Sequence, residues 1–419
     1  MYVGYTSFGF DLFGMEFDPE KFLEPLPQKT ERAQHPVEPP RSQWERKPYN
    51  PLPSLRPRSF ELNYGPGTYG QAVTLTVAGS DVVGHHAVAL TANLETEKTV
   101  PFASGRYSYH RLPFTYYSSV FTSVAPRKGY WVNDSEPVWF ERMVGWTNGL
   151  SYTKPRGFES QSYGISYSVA QSLGDLPVGA GLDPYATVGR DPIRGNMGTV
   201  RASWGYSNVE YYTMSVGPER GFSVSAAVDF GNMYTASYYS LYAFNYQATG
   251  YVPMPWLRHH NVALHVGGAT ASGNYPRRGL YYVGGFVDTS IQDLINNTAF
   301  QGAFVLRGYE PVSFLGSQYH LANIEYRFPI LLLDRGISTL PVFLQRISGN
   351  LFIDYGGAFD TLDVENFRDQ FHTGIGGEVF VDVQFGYFTI LNLRLGYAKG
   401  FGEVAAPGGQ KYLVVAAPF

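Results

Sequence analysis

From Ser59 to the last residue, apolar and polar residues alternate in short segments that are separated by Gly, Pro, Asn and Asp. In the segment QAVTLTVA (71–78), Val73, Leu75 and Val77 fall on one face of an extended strand, because successive side chains of a strand point to opposite faces. No stretch with a useful helical period interrupts this pattern. The chain is therefore predicted to be all-β.

The polar face of these predicted strands favours a membrane barrel over a soluble sandwich. It carries mostly small or uncharged residues, whereas the exposed face of a sandwich carries Lys and Glu. Aromatic residues reach 16% and charged residues only 16%, against about 25% charged in a typical soluble domain. No window approaches the roughly 18 consecutive apolar residues of a transmembrane helix. Because only helices and closed barrels satisfy their backbone groups in lipid, we predict a transmembrane antiparallel β-barrel with a wet lumen.

Sixteen strands can be placed along the chain, and the lengths of their connections indicate an orientation. The predicted strands begin near residues 59, 70, 85, 102, 115, 138, 158, 197, 222, 235, 261, 319, 346, 372, 388 and 411. Mostly tight connections, such as those at 81–86 and 217–221, alternate with a set that includes long ones, such as 177–196 and 274–318. Outer-membrane barrels have short periplasmic turns and longer external loops, so this parity places both chain termini in the periplasm. The segment around 331–345 is longer than the periplasmic turns expected there.

An ordered series of motifs resembles the BamA/TamA-type outer-membrane assembly and translocation barrels of the bacterial surface antigen superfamily. The motifs are LYYVGG (280–285), VLRGYEP (305–311), LANIEYRFPI (321–330), LFIDYGGAF (351–359), TGIGGEVFVDV (373–383), LNLRLGYAKGF (391–401) and the terminal KYLVVAAPF. The resemblance covers residues 58–419 and is most specific from Leu280 onward. It implies a barrel that is closed by pairing of the first strand with the sixteenth.

The resemblance also implies a long loop between strands 11 and 12 that folds into the lumen and docks an arginine on the inner wall. By position this residue is Arg307, with Gly308 allowing the tight turn and Tyr309 packing beside it. Strand alternation turns Glu325 and Asp354 toward the lumen, where a guanidinium can bind their carboxylates bidentately. The alternative is an ordinary solvated loop cation, which would contribute little.

The end of the chain has the pattern of an outer-membrane barrel strand. Leu413 and Val415 share one face with the terminal Phe419. This resembles the C-terminal signal by which outer-membrane barrels are recognised for insertion.

Other chemistry has little support in the sequence. The adjacent histidines of the pairs His85–His86 and His259–His260 would point to opposite faces of a strand and cannot chelate one metal ion in that conformation. Nothing resembles a nucleophile elbow or a phosphate loop. With no Cys and a net charge of −4, thiolate metal sites are excluded and nucleic-acid binding is not indicated. We expect no enzymatic activity, no cofactor and no metal.

The first 57 residues differ in composition from the rest. Residues 18–57 hold ten of the chain's 28 prolines, which predicts an extended linker. YVGYTSFGFDLFGMEF (2–17) resembles part of a blade of a TolB-like β-propeller, although a plain strand or a disordered leader fits it as well. No signal peptide is expected there, because a basic start and a continuous apolar region are missing. We predict a periplasmic extension at 1–57 and an outer-membrane barrel at 58–419.

The resemblance implies a bacterial outer-membrane protein that inserts other barrel proteins or translocates polypeptides. Its partners would be outer-membrane lipids, nascent outer-membrane proteins and periplasmic or outer-membrane accessory proteins. Insertases of the family carry POTRA domains before the barrel, which the 57 proline-rich residues cannot form. A passive channel, or a membrane anchor for a periplasmic module such as a propeller, is therefore the alternative.

Overall fold

The computed structural model divides the chain into two compact units, Met1–Tyr49 and Asn50–Phe419. The residues described are 2–6, 9–14, 18–24, 48–67, 70–95, 102–127, 130–131, 139–173, 181–182, 196–212, 215–273, 281–285, 305–310, 313–336, 338–385 and 389–416. Within these residues, no helix is long and apolar enough to cross a membrane.

The first unit contains an antiparallel hairpin. Its strands Tyr2–Thr6 and Gly9–Phe13 pair with Tyr2 opposite Phe13. A 3-10 turn at Pro19–Lys21 follows, capped by Asp18, whose carboxylate accepts a hydrogen bond from the backbone of Glu20. The hairpin agrees with a strand pair, and its assignment to a propeller blade stays a prediction.

The second unit is built on one antiparallel sheet of sixteen strands, in which every strand pairs with its neighbours in sequence. The strands are β1 (Ser59–Gly67), β2 (Gly70–Ser80), β3 (His86–Glu95), β4 (Phe102–Tyr109), β5 (Thr115–Arg127), β6 (Trp139–Arg156), β7 (Glu159–Ser172), β8 (Asn196–Ser207), β9 (Gly221–Gly231), β10 (Leu241–Pro253), β11 (Asn261–Gly273), β12 (Gln318–Gly336), β13 (Val342–Phe359), β14 (His372–Phe385), β15 (Thr389–Gly400) and β16 (Gln410–Ala416). The all-β class, the antiparallel arrangement and the count of sixteen are confirmed.

Small elements lie in the connections between these strands. They are the strand pair Tyr130–Trp131 with Gly181–Leu182, the strand pair Tyr281–Val283 with Phe314–Gly316, the 3-10 turn Met233–Thr235 and the helix α1, Phe367–Gln370. The backbone pairs of the described residues run from β1 to β16, and a pairing of β1 with β16 is not among them. Closure of the sheet into a barrel therefore stays a prediction.

Side chains of β12 and β13 separate into two faces. On β12, Glu325 is buried whereas its neighbour Ile324 is 48% exposed. On β13, Asp354 is fully buried and Ile353 is 50% exposed. We call the face with the buried polar residues the inner face, and the face with the exposed large apolar residues the outer face. The alternation predicted for these two strands is confirmed.

Two connections differ from the sequence prediction. The tight turn predicted at 217–221 is wrong, because β8 ends at Ser207 and the whole segment 208–220 connects it to β9. Ser215, which lies in that segment, is held by a hydrogen bond from the Arg346 side chain on β13 to its backbone oxygen. Conversely, most of 331–345 is strand rather than connection.

Two strand starts are also displaced, and the first is that of β13, which was predicted near 346 but begins at Val342. We predicted a strand beginning near 235, but β10 begins at Leu241. The 3-10 turn Met233–Thr235 lies at the predicted start, and in it Asn232 and Thr235 make a reciprocal capping box and Ala236 adopts a left-handed conformation at φ 59°. This local hydrogen bonding competes successfully with the strand.

Candidate functional site

Arg307 lies in segment 305–310 of the connection between β11 and β12, with only 2% of its surface exposed. Its Nε and Nη2 donate to the two carboxylate oxygens of Asp354 at 2.7 and 2.6 Å. Its backbone N–H donates to the same carboxylate at 3.0 Å. Asp354 therefore receives the guanidinium bidentately, which is the strongest geometry for this kind of pair.

Two further carboxylates complete the surroundings of Arg307. Its Nη1 donates to Glu378 Oε2 at 3.1 Å, and its Nη2 lies 3.0 Å from Glu325 Oε1. The guanidinium carbon also lies 3.4 Å from the ring centre of Phe352, a cation–π contact. One cation thus joins carboxylates on β12, β13 and β14.

Two of the three carboxylates, Glu325 and Glu378, have a second arginine nearby, so the cluster approaches electrical balance. Arg327 donates to Glu325 Oε2 from Nε at 2.9 Å and from Nη2 at 2.7 Å. Arg394 Nη1 lies 4.0 Å from Glu378 Oε1, which also accepts a hydrogen bond from Tyr412 Oη at 2.7 Å. Such pairing is required because an uncompensated buried charge is strongly destabilising.

Asparagine amides donate to two of the carboxylate oxygens that Arg307 also contacts. Asn323 Nδ2 donates to Asp354 Oδ1 at 2.7 Å and to the backbone oxygen of Val305 at 3.2 Å. Asn350 Nδ2 donates to Glu378 Oε2 at 2.9 Å. The first of these amides ties the backbone of segment 305–310 to the inner face independently of Arg307.

Two glycines permit the close approach of this segment to the sheet. Gly308 has φ 93°, a conformation that L side chains rarely adopt. A Cβ at Gly308 would overlap the backbone of Lys399 and Gly400 on β15. Opposite it, a Cβ at Gly374 on β14 would overlap the backbone oxygen of Arg307.

Tyr309 fixes the other side of the segment. It is fully buried, and its hydroxyl lies 2.7 Å from Thr373 O and 2.9 Å from Phe401 O, the two acceptors for its proton. The same hydroxyl accepts a hydrogen bond from the backbone N–H of Phe401 at 3.1 Å. Its ring packs in a buried apolar cluster that includes Leu306 and Leu321. The segment is thus held by apolar packing as well as by charge.

The electrostatics leave Arg307 permanently charged. Burial alone would lower the pKa of Arg307, but the carboxylates of Asp354, Glu378 and Glu325 raise it well above its usual value. A guanidinium of this kind does not exchange a proton near neutral pH. The cluster is therefore suited to holding structure, and its central cation is not an acid–base group.

The structure thus brings together Arg307, Gly308, Tyr309, Glu325 and Asp354. The sequence prediction missed Glu378, which lies on the inner face of β14. The available signal was the alternation in EVFVDV (378–383), where Glu378 shares a face with Asp382.

The predicted C-terminal signal is only partly within the described residues. Leu413 lies on β16 opposite Leu395 and is 46% exposed on the outer face. Val415 is paired opposite Leu393 by its backbone. The side chain of Val415 and all of Phe419 lie outside the described residues, so the signal stays a prediction.

These observations define a sixteen-stranded antiparallel β protein whose inner face holds an arginine among three buried carboxylates. No known protein-family profile matches the sequence, and no curated protein is significantly similar to it. Among solved structures, the chain is similar to BamA from Haemophilus ducreyi lacking POTRA domains 1–3, with 13% identity, coverage of 85% of this chain and 70% of that chain, and a TM-score of 0.54.

CdiB from Escherichia coli is similar at 9% identity, with 86% of this chain and 67% of that chain covered and a TM-score of 0.47. CdiB from Acinetobacter baumannii is similar at 11% identity, with 85% of this chain and 57% of that chain covered and a TM-score of 0.43. The likeness to BamA shows the fold alone: the sixteen-stranded antiparallel sheet is folded like that of BamA.

Proposed function

We propose that this chain is the membrane-spanning barrel of a bacterial outer-membrane protein that inserts or translocates other polypeptides. The observation that carries the proposal is the burial of Arg307 among Asp354, Glu378 and Glu325, on a sheet folded like BamA. The resemblance of the sequence to BamA-type barrels implies such an inward-docked arginine. Both chain termini would then face the periplasm, in agreement with the parity of the connections.

In this function the five predicted residues act as a latch. Arg307 holds the connection between β11 and β12 against the inner face, Gly308 and Tyr309 shape the contact, and Glu325 and Asp354 receive the cation. The partners are outer-membrane lipids, nascent outer-membrane proteins and periplasmic or outer-membrane accessory proteins. A latch of this kind fills the inner face with protein, which favours polypeptide handling over passive flow.

The seam between β1 and β16 would be the site of lateral opening. Gly65, Pro66 and Gly67 end β1, and Pro66 has no backbone N–H to donate. Few ladder hydrogen bonds would then close the barrel. A disulfide engineered between β1 and β16 should abolish function, and reduction of the disulfide should restore it. Full activity of the oxidised protein would rule out lateral opening.

A passive channel or membrane anchor is the second candidate. Hydroxyl residues on the inner face of the earlier strands favour it, for example Thr147 and Ser168, whose Oγ atoms lie 2.8 Å apart and are only partly buried. Such a surface suits water and small solutes.

Depletion of the protein in its host separates the two functions. If it handles polypeptides, depletion lowers the amount of heat-modifiable, folded outer-membrane proteins. Arg307→Ala then fails to restore them, whereas the exposed control Arg156→Ala restores them fully, because the pair of Arg156 with Glu159, at 3.5 Å, lies at the surface. Unchanged outer-membrane assembly, with large currents through the purified protein in planar bilayers, would establish the channel instead.

A further inference from the structure

The outer face of β12 to β16 carries an open apolar depression with a volume of about 800 Å³, which we call the outer depression. Its walls include exposed outer-face side chains of β13 to β16, namely Leu351, Val379, Leu395 and Leu413. These strands pair with one another in sequence order, so the outer depression lies across one continuous part of the sheet.

Two glycines line the outer depression, and they differ in the space above them. A Cβ at Gly349 would overlap the Phe328 ring, so this ring covers Gly349. A Cβ at Gly377 would meet Leu351 Cδ2 at 3.2 Å and the backbone oxygen of Asn350 at 3.5 Å, and no atom of β15 among the described residues comes as close. The floor at Gly377 is therefore open on the side of β15.

Tyr397 on β15 is the large side chain that lies opposite Gly377 in register, and it leans away from the glycine. Its hydroxyl donates to the backbone oxygen of Gly408 at 3.1 Å, in the connection between β15 and β16. A Cβ at Gly409 would overlap the Tyr397 ring, so the ring lies over Gly409. These contacts keep the space above Gly377 free of the tyrosine.

Two lysines stand on the outer face at one end of the outer depression. Lys411 on β16 lines it and lies opposite Tyr397, and Lys399 follows two residues further along β15. Opposite residues share a face, and diagonal neighbours lie about 7–8 Å apart, so both ammonium groups can reach one anion. Both side chains are exposed, and in the described part of the chain neither forms an ion pair.

The position of these lysines indicates which anion they meet. In the proposed orientation β1 begins at the periplasmic end, so the connection 401–409, which follows an odd-numbered strand, is external. The apolar walls then face acyl chains, and the lysines face the external headgroups. A lysine on a lipid-facing surface is unfavourable within the hydrocarbon and is stabilised by an anionic headgroup.

We propose that the outer depression binds a phosphorylated lipid of the external leaflet, with one acyl chain over Gly377 and the phosphate between Lys399 and Lys411. The two ammonium groups select an anion, and the apolar walls select the chain attached to it. Because Leu413 is one of these walls, the lipid would contact β16, which is one side of the proposed seam. The inference rests on the proposed function in one respect, namely that the outer face lies in the membrane.

The binding test uses native mass spectrometry of the full chain with phosphatidylglycerol and with phosphatidylcholine that carries the same acyl chains. Phosphatidylglycerol should bind about tenfold or more tightly than phosphatidylcholine, and the double variant Lys399→Gln, Lys411→Gln should lose this preference. The control Lys154→Gln should keep it, because Lys154 is an exposed lysine near the opposite end of the sheet, on β6.

Filling the floor tests the contact with the acyl chain while both lysines remain. Gly377→Leu should weaken the binding of phosphatidylglycerol about tenfold, because the new side chain occupies the space of the acyl chain. Gly250→Leu is the matched control and should not, although Gly250 also lies opposite an exposed outer-face residue, Phe222, with open space above it. Heat-modifiable migration on gels verifies that each variant is folded.

Four results would each overturn the proposal. They are equal affinity for the two lipids, an unchanged preference in the double lysine variant, unchanged affinity in Gly377→Leu, and binding of glycerol 3-phosphate as tight as that of phosphatidylglycerol. The last result would show an anion site that does not need a lipid.

A second measurement separates this proposal from the proposed function. Since the chain has no Cys, a single dye can be placed at Ile353→Cys on the outer face of β13. In lipid nanodiscs, quenchers attached to lipid tails should quench this dye. An unquenched dye would refute the membrane-spanning function itself. A quenched dye together with equal affinity for the two lipids would overturn only the lipid site.

Discussion

Replacing Arg307 by Lys and by Ala separates the geometry of the latch from its charge. Arg307 reaches Asp354 with two parallel hydrogen bonds and spans to Glu378 and Glu325 through its remaining donors. Lysine keeps the positive charge but carries it as a compact ammonium that cannot form the bidentate pair. Alanine removes both the charge and the donors.

The expected magnitudes follow from burial. In Arg307→Ala, the carboxylates of Asp354 and Glu378 lose their principal cation while they remain buried, whereas Glu325 keeps its pair with Arg327. Removing one partner of a buried ion pair costs about 3–5 kcal/mol. Arg307→Lys retains the charge and loses roughly one charge-assisted hydrogen bond, worth about 1.5–3 kcal/mol. Displacement of the segment and entry of water limit both losses.

Two assays read these changes. The urea midpoint of the folded, heat-modifiable form reports global stability, and limited proteolysis reports exposure of the connection between β11 and β12. The expected order of stability is wild type, Lys variant, Ala variant, with Arg156→Ala within about 1 kcal/mol of wild type. If the Lys variant is as unstable as the Ala variant, the bidentate geometry of Arg307, and not its charge alone, accounts for the stabilisation. Wild-type behaviour of both variants would refute the latch.

Three further substitutions test the surroundings of Arg307 with the same assays. Gly308→Ala should destabilise the docked segment by about 1–3 kcal/mol, because it strains a positive φ, and an unchanged proteolysis pattern would contradict this. Tyr309→Phe should cost about 0.5–1.5 kcal/mol, because the Phe401 N–H loses its acceptor; an unshifted urea midpoint would argue against this role. Glu378→Gln keeps the shape but removes one charge beside Arg307, so it should cost about 1.5–3 kcal/mol and loosen the segment; equal protease resistance would count against its place in the cluster.

The faces of β12 and β13 could be predicted from sequence because the side-chain period of a strand is two. In LANIEYRF the apolar residues Ile324 and Tyr326 are spaced by two, which fixes the direction of Glu325 between them. The same alternation fixes the direction of the Asp354 side chain on β13, between Ile353 and Tyr355. These side-chain directions could be assigned without knowledge of any tertiary contact.

Glu378 illustrates where this reasoning becomes weak. The segment before it, TGIGG (373–377), has glycine at both inner positions Gly374 and Gly376 and at the outer position Gly377. Because glycine carries no side chain, the alternation of apolar and polar side chains cannot be followed through that segment. The glycines are explained only by tertiary contacts, since a Cβ at Gly374 would overlap the Arg307 backbone.

Segment 208–220 could not be predicted because non-local contacts determine its path. GPERG (217–221) has the composition of a tight hairpin turn. In the structure, Asn261 on β11 donates to the Pro218 backbone oxygen at 2.9 Å, and Arg346 on β13 donates to that of Ser215. These donors come from strands well beyond β8 and β9 in the sheet order, so the segment extends past its own hairpin to reach them.

Segments 215–219 and 305–310 therefore contact the same part of the inner face, β11 to β14, although they belong to connections at opposite ends of the strands. A chain of side chains lies between them. Glu325 contacts Arg307 through one oxygen at 3.0 Å and Arg327 through the other at 2.7 Å. Arg327 on β12 lies opposite Asn261 on β11, and Asn261 donates a hydrogen bond to segment 215–219. Because both segments contact one polar column, displacing either of them from this part of the inner face would break buried contacts of the column.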